Sequence, residues 1–151
     1  TGESSDAYHM SSPHPDGLGA RMAMQGALNM AGLQPADIGY INLHGTATPT
    51  NDVAESKAVQ HVFGSRTPCS STKGATGHTL GAAGGVEAVI CALVLQHGLL
   101  PAGLNTRQLD PALDLDYLLV NREQRAAHVL SNSFGFGGTN CSLIFARADR
   151  P

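Results

Sequence analysis

The chain is 151 residues long, and its 9 basic and 12 acidic side chains leave a net charge of −3. A chain of this length buries about 70% of its unfolded surface, enough for one domain with a sizeable core. No block of like charges runs along it, which speaks against a nucleic-acid groove and against an anionic membrane surface as partner.

In chain order, residues 1–16, with Ser11-Ser12-Pro13 and Pro15-Asp16-Gly17, read as an irregular loop. Residues 18–31 read as a helix stopped by Gly32. Pro35-Ala36-Asp37 leads into a short apolar strand over residues 38–43 that ends at His44. The polar turn Thr50-Asn51-Asp52 predicts an N-cap for a helix over about residues 53–63. Residues 68–71 read as a short strand, followed by a loop of small residues. Residues 80–97 are apolar on most faces, but Glu87, Gln96 and His97 interrupt them. That pattern predicts a buried central helix rather than a membrane span. After a turn-rich connection over residues 101–111, residues 118–121 read as a strand. Residues 127–133 and 141–146 read as an antiparallel pair around Gly135-Phe136-Gly137-Gly138. Strands alternating with helices and closing on a hairpin give the α/β class, a mixed β-sheet flanked by α-helices.

Charged residues make up only 14% of the chain, against about 25% in ordinary soluble domains. Such a shortage marks a surface covered in part by a second domain or subunit. Cys69, Cys91 and Cys141 form no CxxC pair and leave an odd count, the pattern of a reducing, cytoplasmic compartment rather than of a disulfide framework. The chain opens on a polar stretch without the features of a signal peptide.

Three short stretches gather His, Lys and Gly where strands give way to turns, the ends at which such sheets bind ligands. The first is His44-Gly45-Thr46-Ala47-Thr48-Pro49. An imidazole directly after an apolar strand reaches a cleft, or else simply bonds a backbone carbonyl. Thr46 and Thr48 alternate, so both hydroxyls can face one side. The second stretch runs over residues 71–84 and carries Lys73 and His78, the histidine just ahead of a helix N-terminus. The partial positive charge there disfavours imidazolium and favours a neutral, donating ring. Glu87 falls about two and a half turns further on, in the apolar helix. A buried carboxylate needs a cation, and Lys73 is the obvious one.

Lys73 precedes the glycines, so this stretch is no phosphate loop; no GxGxxG follows a strand, and HExxH is absent. Neither a dinucleotide nor a metal site is expected. The third stretch covers residues 132–140, with Phe134 and Phe136 embedded in glycines. It is either a mobile turn whose N–H groups serve as an oxyanion hole, or a hairpin with both rings packed inward.

In this order, the HGTxTP, KxxTGHxLGAAG and NSFGFGGTN patterns resemble the β-ketoacyl-acyl carrier protein synthases, condensing enzymes of the thiolase-like superfamily. Asp6-Ala7-Tyr8-His9-Met10, Asn51, Asp52 and Glu55 are similar to that family as well. The resemblance covers residues 1–151 and implies the C-terminal half of a thiolase-like fold, its apolar helix buried at the centre. It implies an acyltransferase of fatty acid or polyketide-like biosynthesis, in which malonyl-acyl carrier protein loses carbon dioxide and the enolate attacks an acyl-enzyme thioester. His44 and His78 would donate hydrogen bonds to the enolate oxygen, and Lys73 and Glu87 would fix the second histidine's surroundings. Phe136 would be a gating aromatic whose backbone N–H joins the oxyanion hole. Thr46 and Thr48 would bond the phosphopantetheine arm, with Phe134 and Gly137 also at the substrate.

No cofactor is implied, because phosphopantetheine is carried by the substrate. The implied partners are acyl carrier protein, acyl and malonyl thioesters, the N-terminal domain and a second copy in a homodimer. The nucleophilic cysteine belongs to that N-terminal domain, and Cys69, Cys91 and Cys141 are small buried hydrophobes rather than substitutes. This chain alone is therefore expected to be inactive. The alternatives are a non-catalytic partner subunit resembling a chain-length factor, and a polyketide or aryl-polyene ketosynthase.

Overall fold

The computed structural model describes residues 1–148. In chain order it contains β1 (Gly2–Ser5), α1 (Leu18–Ala31), β2 (Ile38–Asn42), α2 (Pro49–Phe63), β3 (Cys69–Ser70) and a single turn, α3 (Lys73–Thr76). There follow α4 (Ala83–His97), β4 (Leu99–Leu100), β5 (Arg122–Glu123), β6 (His128–Gly135) and β7 (Thr139–Ala146). Five strands make one mixed sheet in the order β1-β7-β6-β2-β3. β2 runs parallel to β3 and β6, whereas β7 pairs antiparallel with β6 and β1. β4 and β5 form a separate antiparallel ribbon.

Alternation along the central strands sorts the core into two faces. Ile41 and Leu130 point to one side, where Met24 and Leu28 of α1 and Ala58 and Val59 of α2 close over them. Tyr40 and Val129 point to the other, onto Cys91, Val94 and Leu95 of α4. Helix, sheet and helix therefore stack as three layers, the α/β arrangement expected.

The departures from expectation have local causes. β1, read as loop, has no apolar alternation; it is held by β7 from Gly2↔Ser142 to Ser5↔Thr139. Gly2 lets it approach α1, since a Cβ there would lie 2.0 Å from the Ala23 carbonyl oxygen. α2 begins at Pro49, ahead of Thr50-Asn51-Asp52. Proline suits the first helical position because its missing N–H would have no partner there. Residues 118–121 form no strand: Tyr117 bridges to Cys69 at the sheet edge, and pairing shifts to Arg122–Glu123 against Leu99–Leu100.

The expected central helix is present as α4, with Cys91, Val94 and Leu95 on the sheet. A 3-10 turn, Leu80–Ala82, precedes α4. By length and composition Leu80–His97 could cross a membrane, yet only 28% of it is buried, and Val89 and Leu93 stand exposed. Within this chain the helix buries one face, on the sheet, and leaves the other apolar face open. Among the cysteines, Cys69 and Cys91 are buried but Cys141 only partly. Burial pushes all three thiols up, Cys91 to about 12, so none is poised as a thiolate.

Candidate active site

β2 delivers the chain to Leu43, His44 and Gly45, and left-handed residues at Gly45 (φ 37°) and Ala47 (φ 58°) turn it sharply. Glu55 of α2 fixes that turn. Its Oε1 accepts the His44 N–H and its Oε2 the Gly45 N–H, each at 2.8 Å. The Asn132 amide donates to Oε1 at 3.2 Å, and the Ser142 hydroxyl donates to Asn132 Oδ1 at 2.8 Å. Burial raises the Glu55 pKa while the two backbone N–H groups oppose the rise. A fully hydrogen-bonded buried network of this kind makes the backbone rigid. The Ser71 hydroxyl donates to the Gly45 carbonyl at 2.7 Å, tying the first loop to the second. The Thr46 and Thr48 hydroxyls share a hydrogen bond of 2.9 Å at the exposed rim.

On the second loop Lys73 is the first residue of α3, and its side chain is buried against Glu87 of α4 as an ion pair. Burial raises the Glu87 pKa, and the Lys73 ammonium pulls it back. Glu87 Oε2, Asn42 Oδ1, Ser131 Oγ and His44 Nδ1 are buried without a hydrogen-bond partner. His78 follows α3, and its Nδ1 accepts the Leu80 N–H at 3.2 Å. An amide N–H can only donate, so this bond leaves the ring proton on Nε2.

The two rings meet edge-on, with centroids 5.4 Å apart and planes at 85°. Phe134 lies 5.6 Å from His44 on another side. Burial lowers the His44 pKa to about 3, with the nearby positive charge of Lys73 adding to it. At neutral pH His44 is thus an uncharged ring, able to donate one hydrogen bond.

The hairpin between β6 and β7 separates its two aromatics. Phe134 is partly buried against the core, whereas Phe136 is 85% exposed at the tip. The turn closes with Gly138 N–H donating to the Gly135 carbonyl (3.2 Å), and it is latched to residues 6–10. The Gly137 N–H donates to the Met10 carbonyl (2.7 Å) and the Asp6 N–H to the Gly138 carbonyl (2.8 Å). The Asn140 amide also donates to Asp6 Oδ1 at 2.9 Å. The Gly137 N–H is therefore engaged within the chain and not free to meet a substrate as it stands.

The structure brings His44, His78, Lys73, Glu87 and Phe134 together, and sets Thr46, Thr48 and Phe136 at the rim. Sequence reasoning assigned no part to Glu55, Ser71 or Asn132. The signal for Glu55 was an acid on the apolar side of α2, beside Ala54, Ala58 and Val59. Among the described residues no cluster of His, Cys, Asp and Glu is arranged to hold a metal.

The family model for the beta-ketoacyl synthase C-terminal domain matches residues 1–107. The chain belongs to the beta-ketoacyl synthase family. Among its relatives is the mitochondrial 3-oxoacyl-[acyl-carrier-protein] synthase of Arabidopsis thaliana, 46% identical over 96% of this chain and 33% of that protein. The 3-oxoacyl-[acyl-carrier-protein] synthase 2 of Synechocystis is also 46% identical, over 94% of this chain and 35% of its own length. This synthase domain thus spans about a third of the curated relatives it matches. A solved ketosynthase in complex with its chain length factor, from Xenorhabdus doucetiae, contains a chain 55% identical with a TM-score of 0.93, covering 97% of this chain and 38% of its own. A beta-ketoacyl synthase from Burkholderia phymatum is 43% identical at the same TM-score, over 98% and 36%.

Proposed function

We propose that this chain is the C-terminal domain of a 3-oxoacyl-[acyl-carrier-protein] synthase, a cytoplasmic acyltransferase whose N-terminal domain supplies the cysteine nucleophile. Its substrates are acyl and malonyl thioesters of acyl carrier protein, and the whole protein works as a homodimer. The single observation that carries this reading is the edge-on pair of His44 and His78 beside the buried Lys73–Glu87 pair.

Loss of carbon dioxide from a malonyl thioester leaves negative charge on the thioester oxygen. Donors already in place lower that barrier because they need no reorganisation. His78 offers Nε2–H, since Leu80 occupies its Nδ1. His44 is neutral through burial and offers its own ring N–H. The enolate carbon then attacks the acyl thioester, the new carbon–carbon bond forms, and the cysteine thiolate leaves. Thr46 and Thr48, whose hydroxyls meet at the rim, bond the phosphopantetheine arm in this proposal. Phe134 packs on His44, and exposed Phe136 gates the entrance.

Retention of His44, Lys73 and His78 weighs against a chain-length-factor-like partner. The test is to incubate the full-length protein with acyl- and malonyl-loaded carrier protein and to look for a 3-oxoacyl product two carbons longer. Product from the full-length protein and none from residues 1–151 alone supports the reading. No product from the full-length protein, or turnover by residues 1–151, overturns it.

A further inference from the structure

The long connection between β4 and β5 holds the turn that carries Lys73. α3 is one turn long, and its internal bonds use the carbonyls of Thr72 and Lys73: Ala75 and Thr76 N–H donate to Thr72 (3.0 and 3.1 Å), and Gly77 N–H to Lys73 (2.9 Å). The next carbonyl, that of Gly74, has no helical donor left, because the helix ends at Thr76. It accepts instead from the Asn105 side-chain amide at 2.8 Å. The fit is close: a Cβ on Gly74 would lie 2.0 Å from the Leu104 carbonyl oxygen. Asn105 itself sits at φ 68°, a left-handed conformation that asparagine tolerates better than most residues.

The far side of this brace is anchored to the sheet. Gly103 N–H donates to the Leu118 carbonyl and Thr106 N–H to the Gly103 carbonyl. The Thr106 and Tyr117 hydroxyls lie 3.3 Å apart, and Tyr117 also accepts the Ser71 N–H at 3.3 Å. Elsewhere the connection stands away from both site loops, across a cavity of about 460 Å³ lined by Ala47, Val53, Leu109 and Leu113. At α3 the connection closes in again, with Leu104 against Gly74 and the Asn105 amide on the Gly74 carbonyl.

We propose that Asn105 is a positioning residue: by holding the Gly74 carbonyl it keeps α3 in the register that aims the Lys73 ammonium at Glu87, beside the two histidines. Its consequence for catalysis rests on the condensing reaction proposed above, but the brace itself does not.

Two variants in the full-length protein separate the possibilities. Asn105→Gly keeps the left-handed backbone and removes the amide, and Asn105→Ala removes both. Amide hydrogen exchange across residues 73–77 should speed up at least tenfold in both variants, with the rest of the sheet unchanged. Malonyl decarboxylation should lose roughly tenfold in kcat at unchanged KM, while acyl transfer onto the nucleophile keeps its rate. Wild-type exchange in Asn105→Gly overturns the proposal and leaves only a backbone preference. Faster exchange with decarboxylation and acyl transfer slowed equally shows a general loosening and also overturns it. If the wild-type protein does not condense, the functional reading fails, and the exchange measurement still decides whether the brace exists.

Discussion

Replacing Glu55 by glutamine changes one atom and tests how the first histidine is held. Oε1 receives the His44 N–H and the Asn132 amide; Oε2 receives the Gly45 N–H and, at 3.5 Å, the Asn51 amide. All four partners donate. Whichever way the new amide is turned, its NH2 faces one backbone N–H and one side-chain amide that can no longer be accepted. A buried donor left unmatched costs about 1–3 kcal/mol. The substitution also removes a buried charge, whose desolvation already raises the carboxyl pKa, and this offsets part of the loss. We expect Glu55→Gln to destabilise the full-length protein by about 3 kcal/mol in urea unfolding. It should also lower the condensation kcat by roughly a hundredfold as the His44 backbone shifts. A variant within about 0.5 kcal/mol of wild type and with full kcat would refute the view that this carboxylate sets the loop.

Lys73→Met leaves Glu87 buried without its cation and should cost about 3–5 kcal/mol in unfolding free energy; adding Glu87→Gln should restore much of it. Independent, additive effects in that double-mutant cycle would contradict the pairing. His44 has its pKa lowered from 6.5 to about 3 on folding, so between those values the unfolded chain binds more protons than the folded one. Its stabilising contribution is fully present above pH 6.5 and is lost as pH falls toward 3, amounting to about 2 kcal/mol by pH 5. In His44→Asn the change in unfolding free energy between pH 7.5 and pH 5 should shrink by that amount. Phe136→Ala, at an 85% exposed site, should leave stability within about 0.5 kcal/mol while slowing acyl transfer in a stopped-flow acylation assay.

The parts of the fold legible in sequence were those with strong local codes. Gly32 ends α1 in a left-handed cap, the glycine hairpin joins β6 to β7, and the apolar run after Leu80 became α4. β1 was not legible because its residues carry no apolar pattern, and long-range pairing to β7 alone makes it a strand. The site residues with distinctive chemistry, His44, Lys73 and His78, stood out by type and by their place at strand ends. Glu55, Ser71 and Asn132 did not. Each acts through a backbone group or amide supplied by another element, a partner that the local sequence does not name even where, as at Glu55, an acid on an apolar helix face is conspicuous. The partner of the Gly137 N–H was hidden for the same reason: its acceptor, the Met10 carbonyl, lies more than a hundred residues away.

The central claim is that His44 and His78 act together on the enolate and not on the nucleophile. The most direct measurement compares two rates in the full-length protein and in its His44→Ala and His78→Ala variants: malonyl decarboxylation, and acyl transfer from carrier protein. The account predicts that each substitution lowers decarboxylation by at least a hundredfold, removing a donor in the range expected for an oxyanion contact, while acyl transfer stays within a few-fold. Decarboxylation that survives either substitution, or acyl transfer that falls in parallel with it, would contradict the account.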